Sequence, residues 1–227
     1  MNNWSAPQRP IEHAEQSLVR AILDGDYPSG TTLPGERQLA DQLGVTRPTL
    51  REALRRMERD GWLTIRQGKS TVVNDIWRDG GLNVLSALAR FSDEMSTEFA
   101  TNLLKVRLDL APSYTRLAVE HNPETVITYL EAAADLDAQP DAFAAFDWGL
   151  HRCLTIASGN PIYTLILNGF ISFYEQSARI YFAHSDARAS SKSFYAALLT
   201  AAQRRNAEAA ESITRSVMRE SIELWQR

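Results

Sequence analysis

The segment TRPTLREALRRMER, residues 46–59, carries five arginines in a short space. Arg47, Arg51 and Arg55 recur every fourth residue, so on a helix they would form one stripe. A guanidinium group offers two parallel N–H donors that fit the O6 and N7 acceptors of guanine. The spacing therefore predicts a helix that reads base edges in the major groove of DNA.

Polar side chains around this segment suit the sugar-phosphate backbone. Thr46 and Thr49 lie at the start of the predicted helix, where hydroxyl and N–H groups can donate to phosphate oxygens. Lys69 follows a Gln67-Gly68 turn, and a cation on such a tip can approach the backbone or the minor groove. The residues that we predict to contact DNA are Arg37, Thr46, Arg47, Thr49, Arg51, Gln67, Gly68 and Lys69.

The distribution of charge favours the same kind of partner. The chain has a net charge of −4. Residues 37–69 nevertheless hold eight Lys and Arg against four Asp and Glu, whereas residues 77–227 hold 14 against 18. A local basic stripe on an acidic chain is typical of a surface that binds a polyanion. On charge alone it is also typical of a solvated helix face, and that is how we interpret Arg55, Arg56 and Arg59.

The elements that must position the arginines form a helix-turn-helix with a wing. Leu50, Ala53, Leu54 and Met57 follow the i, i+3, i+4, i+7 pattern and should face a core. Thr46 is a good N-cap for this helix, predicted at residues 47–60. A shorter helix, in the stretch GERQLADQLGV, precedes it and should stop at Gly44. WLTIRQGKSTVVN then alternates around its turn as a two-stranded hairpin would.

These residues carry a resemblance. The stretch LPGERQLADQLGVTRPTLREALRRMERDGWL resembles the winged-helix signature of GntR-family bacterial transcription regulators. The resemblance implies a DNA-binding domain over residues 1–76 and a double-stranded DNA operator as partner. Two positions depart from the family pattern. Pro48 stands in place of a Thr in the recognition helix, and Gln67 stands in place of a His at the wing tip.

The remaining residues, 77–227, are predicted to be all-helical. Pro and Gly separate helical stretches, which we place at residues 82–91, 97–120, 123–137, 141–158, 161–184, 187–205 and 206–226. The expected fold is therefore mainly α, a winged helix-turn-helix followed by an antiparallel helical bundle. Polar groups interrupt the inward faces, which favours a bundle enclosing a ligand cavity.

Further segments resemble the FadR subfamily of fatty-acid metabolism regulators. They are DGWLTI, NLLKVR, ASGNPIYTLILNG, YFAHSDAR and ESIELW. The resemblance implies a cytoplasmic homodimer whose C-terminal domain, of the FadR type, binds long-chain acyl-CoA as effector and uses no cofactor. It also implies that the apo dimer represses fatty-acid degradation genes and activates unsaturated fatty-acid synthesis genes, and that the ligand releases DNA.

The same resemblance points to ligand-side residues, namely Arg107, Tyr174, Tyr181, Ser221 and Trp225. Arg107 would meet the CoA phosphates, although an interhelical salt bridge is the other interpretation of this arginine. Aromatic residues that can line an acyl tunnel, or simply form a core, are Phe143, Phe146, Phe170, Phe173, Tyr174, Tyr181 and Trp225. Two departures bear on this pocket: Met218 replaces a glycine that faces the ligand, and His151 replaces an aromatic on the wall.

A different effector is the alternative. Many relatives with such a helical domain bind a divalent metal through an Asp, a His four residues later and two further His. Asp147 and His151 keep the first pair, but the later positions are occupied by Tyr195 and Met218. Two protein ligands make a weak transition-metal site, so we expect no metal and interpret His151 as packed or hydrogen-bonded. A metal site would instead favour a small organic acid as effector.

Enzymatic activity is not expected. No nucleophile elbow, phosphate-binding loop or paired carboxylates stand out, and Cys153 lies two residues from His151, so the two side chains point to different sides of a helix. A single cysteine fits a reducing cytoplasm. No apolar run reaches the roughly 18 residues that a membrane span needs, so no membrane partner is expected.

Overall fold

The computed structural model describes residues 9–91 and 97–226. These separate into two compact units, unit 1 within residues 1–93 and unit 2 within residues 94–227. The elements of unit 1 are α1 (Pro10–Leu23), α2 (Glu36–Leu43), α3 (Arg47–Arg59), β1 (Leu63–Thr64), β2 (Val72–Val73), α4 (Ile76–Asp79) and α5 (Leu82–Phe91).

The helix-turn-helix of unit 1 forms for local reasons. α2 ends at Gly44, whose φ of 65° is left-handed and therefore suits glycine. The Thr46 hydroxyl accepts the backbone N–H of Thr49 at 3.3 Å and so caps α3. The four predicted inward residues, Leu50, Ala53, Leu54 and Met57, are at most 3% exposed. The predicted helix, its cap and its buried face are therefore confirmed.

The wing is shorter than the alternation in the sequence indicated. β1 and β2 pair antiparallel, with Leu63 opposite Val73, but each strand has two residues. The Lys69 N–H donates to the Arg66 carbonyl at 3.0 Å and closes the turn. Thr32 adds a bridge to Val72, so the segment before α2 supports the hairpin.

Unit 2 is helical throughout its described residues. Its elements are α6 (Thr97–His121), α7 (Pro123–Glu131), a 3-10 turn (Ala132–Asp135), α8 (Pro140–Ala157), α9 (Pro161–Gly169), α10 (Ile171–Ala183), α11 (Ser185–Gln203) and α12 (Ala207–Trp225). Most predicted bounds agree within two residues. The single helix predicted over residues 161–184 is wrong, because the chain breaks at Phe170, whose N–H bonds back to the Leu167 carbonyl at 2.9 Å. The helix predicted over 123–137 ends earlier, at Glu131.

α6 and α12 pack against each other in unit 2. Both helices carry small side chains that are fully buried, Ala111 and Ala118 on α6 and Ala210 and Thr214 on α12. Small buried side chains let helix backbones approach closely. None of the described helices is long and apolar enough to cross a membrane.

A glycine in α8 makes room for a tyrosine from α7. The Tyr129 hydroxyl donates to the Phe146 carbonyl at 3.0 Å, and a Cβ on Gly149 would lie 2.0 Å from that hydroxyl oxygen. Alanine in mid-helix normally stabilises by about 1 kcal/mol over glycine, whereas overpacking costs about 1–3 kcal/mol.

We therefore expect Gly149→Ala to lower the free energy of unfolding by up to about 2 kcal/mol, as measured by urea denaturation. In a Tyr129→Phe background the same change should cost less, because the hydroxyl is gone. A net stabilisation of the single variant would contradict the close approach.

Candidate functional site

The first candidate surface lies on α2 and α3 of unit 1. The exposed side chains of Arg37 and Arg47 line one open groove, which Glu36 and Asp41 also line. Arg51 is 60% exposed, and its Nε donates to the Glu36 carboxylate at 2.6 Å. Three arginines predicted to contact DNA therefore lie at or beside one groove, and one of them has a carboxylate partner that the sequence did not indicate.

The other predicted DNA contacts also lie on the surface of unit 1. Thr46 is exposed and Thr49 half-buried, and their hydroxyl oxygens are 2.8 Å apart. Gln67, Gly68 and Lys69 are exposed at the hairpin tip. These positions suit contact with a large polyanion, and the individual contacts stay predictions.

The three arginines interpreted as ordinary surface charges lie at the surface of α3. Arg55 is exposed. Arg56 pairs with Glu52 at 3.4 Å, one helical turn away, and an ion pair with both side chains exposed contributes about 0–1 kcal/mol. Arg59 is largely exposed and pairs with the less exposed Asp60 at 3.3 Å.

The second candidate site is a buried polar cluster in unit 2, centred on Asp147. One of its carboxylate oxygens accepts hydrogen bonds from Arg107 at 2.9 Å and from the Tyr174 hydroxyl at 2.8 Å. The other accepts the Tyr195 hydroxyl at 3.1 Å. Burial opposes ionisation of this carboxyl, but the charge of Arg107 and the hydrogen bonds of the two tyrosines outweigh it and hold the pKa of Asp147 below its ordinary value. The carboxylate is therefore ionised, and both of its oxygens accept hydrogen bonds.

His151 completes the cluster as a neutral ring. Burial, reinforced by the charge of Arg107, lowers its pKa to about 3. Its Nε2 contacts the Arg107 guanidinium, which can only donate, so Nε2 must accept. Nδ1 then carries the proton and donates to the Tyr114 hydroxyl at 2.6 Å. The interpretation of His151 as a hydrogen-bonded histidine fits these contacts, and so does the salt-bridge interpretation of Arg107.

A cavity of about 100 Å³ adjoins this cluster. All five predicted ligand-side residues line it: Arg107, Tyr174, Tyr181, Ser221 and Trp225. The Tyr181 hydroxyl donates to Ser221 at 3.3 Å, and Ser221 donates to the Val217 carbonyl. The cavity is smaller than the roughly 300–1,000 Å³ of typical ligand pockets, so any large ligand must widen it. Binding by these residues stays a prediction.

Two of the aromatic residues considered for the cavity wall lie elsewhere. Phe170 and Phe173 line the cavity. Phe143 is fully buried, with its ring 5.6 Å from that of Phe182. Phe146 lies near Tyr195, at 4.9 Å between ring centroids. These two point from α8 into the hydrophobic core, which also holds the buried side chain of Met218.

Sequence reasoning missed several residues of this site. Tyr114 and Trp148 line the cavity, and Tyr195 binds Asp147. Tyr114 follows Arg107 by seven residues, which places both on one face of α6 and is a signal that the sequence contained. Within residues 9–91 and 97–226, no three His, Cys, Asp or Glu side chains come together as metal ligands. Cys153 donates weakly to the Thr125 carbonyl, at 3.8 Å, and not to His151.

Comparison with known proteins assigns both parts of the chain to described families. Residues 10–73 match the family described as bacterial regulatory proteins, gntR family, and residues 74–227 match the FadR C-terminal domain. The chain belongs to the GntR family. It is a transcription regulator and not an enzyme, and the predicted combination of winged helix-turn-helix and FadR-type helical domain is confirmed.

Relatives of this chain cover nearly its whole length. The fatty acid metabolism regulator proteins of Yersinia pestis (strain Pestoides F) and Yersinia pseudotuberculosis (serotype O:1b) are each 41% identical to it over 218 residues, which is 96% of this chain and 91% of theirs. The predicted family resemblance is thereby confirmed.

Solved structures of more distant proteins share the fold. Lar, which controls expression of the Listeria monocytogenes agr system, aligns with a TM-score of 0.65 at 15% identity, covering 100% of this chain and 99% of its own. E. coli McbR/YncC aligns with a TM-score of 0.51 at 18% identity, covering 96% and 98%.

The neutral His151 predicts a pH dependence of stability. An unfolded histidine has a pKa of about 6.5, well above the folded value, so protons bind the unfolded chain preferentially below pH 6.5. The free energy of unfolding should therefore fall on acidification, by about 2 kcal/mol between pH 7 and pH 5 from this residue. His151→Gln keeps one acceptor and one donor but does not titrate, so urea unfolding of this variant should lack that decrease. His184→Gln, at an exposed histidine, should retain it.

The exposed basic side chains of α3 and of the hairpin tip predict two distinct effects on DNA binding. Arg47→Ala should lower the affinity for a specific operator by about 1–3 kcal/mol and relax base choice. Lys69→Ala should weaken binding to all sequences alike and reduce the salt slope by about one. Mobility shifts at several salt concentrations measure both effects. Unchanged operator binding by Arg47→Ala would refute the assignment of the recognition helix.

Proposed function

We propose that this GntR-family regulator controls genes of fatty-acid metabolism as a homodimer, and that a long-chain acyl-CoA bound in unit 2 releases it from double-stranded operator DNA. In this proposal the apo dimer represses fatty-acid degradation genes and activates unsaturated fatty-acid synthesis genes. The observation that carries the proposal is the unit 2 cavity, whose walls are mostly apolar and include Arg107 and Tyr174, two of the hydrogen-bond donors to Asp147. Relatives named as fatty acid metabolism regulators support it.

The apolar wall suits an alkyl chain. Leu103, Leu104, Leu110, Ile166, Leu167 and Phe173 are among its lining residues. Each buried methylene group of a ligand contributes about 0.8 kcal/mol. Six additional methylenes would therefore favour a long over a medium chain by up to about 5 kcal/mol, so the apolar surface alone can give chain-length selectivity.

Ligand entry has to move part of the wall, because the cavity holds about 100 Å³. α9 is the least anchored part of that wall. Tyr163, Ile166 and Leu167 face the cavity, yet none of its nine residues is fully buried. A ligand that binds a widened unit 2 better than a closed one shifts the population toward the widened form. In the proposal, that form holds the two recognition helices of the dimer out of register with half-sites one DNA turn apart.

The polar groups have unequal roles in the proposal. Arg107 is already bound by Asp147 and His151, so a CoA phosphate must compete with that pair. The single bond between Tyr181 and Ser221, at 3.3 Å, is weaker and easier to exchange for a ligand group. Ligand binding at these two hydroxyls is therefore the less costly first contact.

A small organic acid chelated by a metal is the other effector that we considered. It would need the oxygen of Asp147 and the Nε2 of His151 as ligands. The Arg107 guanidinium contacts both of these atoms. Since the arginine supplies the positive charge that a metal would otherwise supply, the geometry favours the acyl-CoA proposal.

The direct test is release of DNA by acyl-CoAs of increasing length in a mobility-shift assay. The half-effective concentration should fall steeply from medium to long chains, by at most about fifteenfold for each two methylenes. Free CoA should not release DNA. Indifference to chain length together with release by citrate plus a divalent metal would instead establish the alternative.

A cavity-filling variant tests where the ligand binds. The Ser177 hydroxyl lines the cavity but bonds only to carbonyls of its own helix, so Ser177→Phe fills space without leaving a partner unpaired. The variant should bind DNA normally but need at least about tenfold more acyl-CoA for release. Ser193→Phe is the matched control, since this exposed serine also bonds to a carbonyl of its own helix, at 3.1 Å. If Ser177→Phe released DNA at the same acyl-CoA concentration as the wild type, the ligand would bind outside this cavity.

A further inference from the structure

The ion pair between Glu36 and Arg51 joins the two helices of the DNA-facing surface. Glu36 lies in the first turn of α2 and Arg51 one turn into α3, 15 residues apart. The Arg51 Nε and the Glu36 Oε2 are 2.6 Å apart, which is the short distance of a charge-assisted hydrogen bond. Both side chains are accessible, at 60% and 38% exposure. The contact therefore lies at the surface where DNA is proposed to bind.

Stability does not explain this pair. Exposed ion pairs contribute little to folding because water screens them and because ordering two long side chains costs entropy. A carboxylate in this groove also repels phosphates and so lowers affinity for DNA of any sequence. Glu36 nevertheless lines this groove together with Arg37 and Arg47. An effect on the geometry of Arg51 is the remaining physical consequence of the contact.

The geometry of the guanidinium shows what that effect is. The group is planar and carries five N–H donors in a rigid fork. A bond from Nε to a carboxylate fixes the plane and leaves the two terminal nitrogens free to act as a pair. Such a pair is the donor set that meets the O6 and N7 of guanine. A free arginine would have to lose its rotational freedom on binding, whereas a held one has already lost it.

We infer that Glu36 is a positioning residue for base readout, which holds the Arg51 guanidinium in the orientation that recognises one base pair of the operator. The inference rests on the proposed contact between Arg51 and DNA. The Glu36 carboxylate would then increase discrimination between DNA sequences, although its negative charge lowers affinity for DNA of any sequence.

The test measures sequence discrimination position by position. The full-length wild-type protein selects duplexes from a random pool, and Kd values are then determined for the selected duplex, for each single base-pair substitution of it and for a scrambled duplex. The variants are Arg51→Ala, Glu36→Ala and Glu36→Gln. Glu52→Ala is the matched control, because it removes the same charge from a carboxylate that pairs with Arg56 on α3.

The base pair that Arg51 contacts is the one at which Arg51→Ala no longer discriminates between the selected duplex and its single substitutions. Glu36→Ala should lose about tenfold of discrimination at that same base pair and little elsewhere, while binding the scrambled duplex more tightly than wild type. Glu36→Gln, which keeps an acceptor oxygen, should recover part of the discrimination. Glu52→Ala should leave the pattern of discrimination as in wild type.

The outcomes separate the inference from the function on which it rests. Discrimination that stays intact in Glu36→Ala, or falls equally at every position, would overturn the positioning role while Arg51 remains a base contact. If Arg51→Ala itself changes no position, the contact between Arg51 and DNA is wrong and the inference fails with it. If the wild-type protein selects no sequence, specific operator binding fails.

Discussion

A carboxylate buried inside a helical bundle is tolerated only when donors satisfy it, and this requirement organises unit 2. Asp147 on α8 receives its hydrogen bonds from three other helices, through Arg107 on α6, Tyr174 on α10 and Tyr195 on α11. Removing one partner from such a group typically costs several kcal/mol. The cluster therefore fixes how these four helices meet, and the cavity beside it inherits that geometry.

The two units use charge in opposite ways. In unit 2 the interior charges are matched, and Tyr174 and Tyr195 stay protonated because burial and the neighbouring carboxylate raise their pKa values. In unit 1 arginines lie on the surface, where Arg37 and Arg47 form no ion pair with any residue in the described part of the chain. Paired charges in the interior stabilise one arrangement of helices, whereas unpaired charges on the surface can bind a polyanion. This division fits a transcription regulator whose gntR-family segment is separate from its FadR C-terminal domain.

The features that the sequence predicted well are the local ones. Capping by Thr46 and the periodic burial of Leu50 and Met57 depend on residues a few positions apart. The break at Phe170 was missed although Asn168 and Gly169, just before it, are typical of a helix end. The apolar residues on both sides of this pair continue a helical pattern, so the periodicity did not show the break.

The contacts that span long distances in the chain were beyond the same reasoning. Arg107 and Asp147 are 40 residues apart and Glu36 and Arg51 are 15 apart. The pattern of Asp147 and His151 marked one helix face correctly, but the partner on that face depends on which helix packs there. The aromatic residues of α8 illustrate this limit, since helical spacing alone did not distinguish a core position from one on the cavity wall.

The guanidinium of Arg107 has one more consequence. Its positive charge is covalently part of the chain, so it cannot diffuse away, be removed by a chelator or be replaced by a competing ion. Every molecule acquires it at synthesis in a fixed one-to-one ratio with the carboxylate that it neutralises. The charge of Asp147 is therefore neutralised by Arg107 as soon as the chain folds, whatever ions the surrounding solution contains.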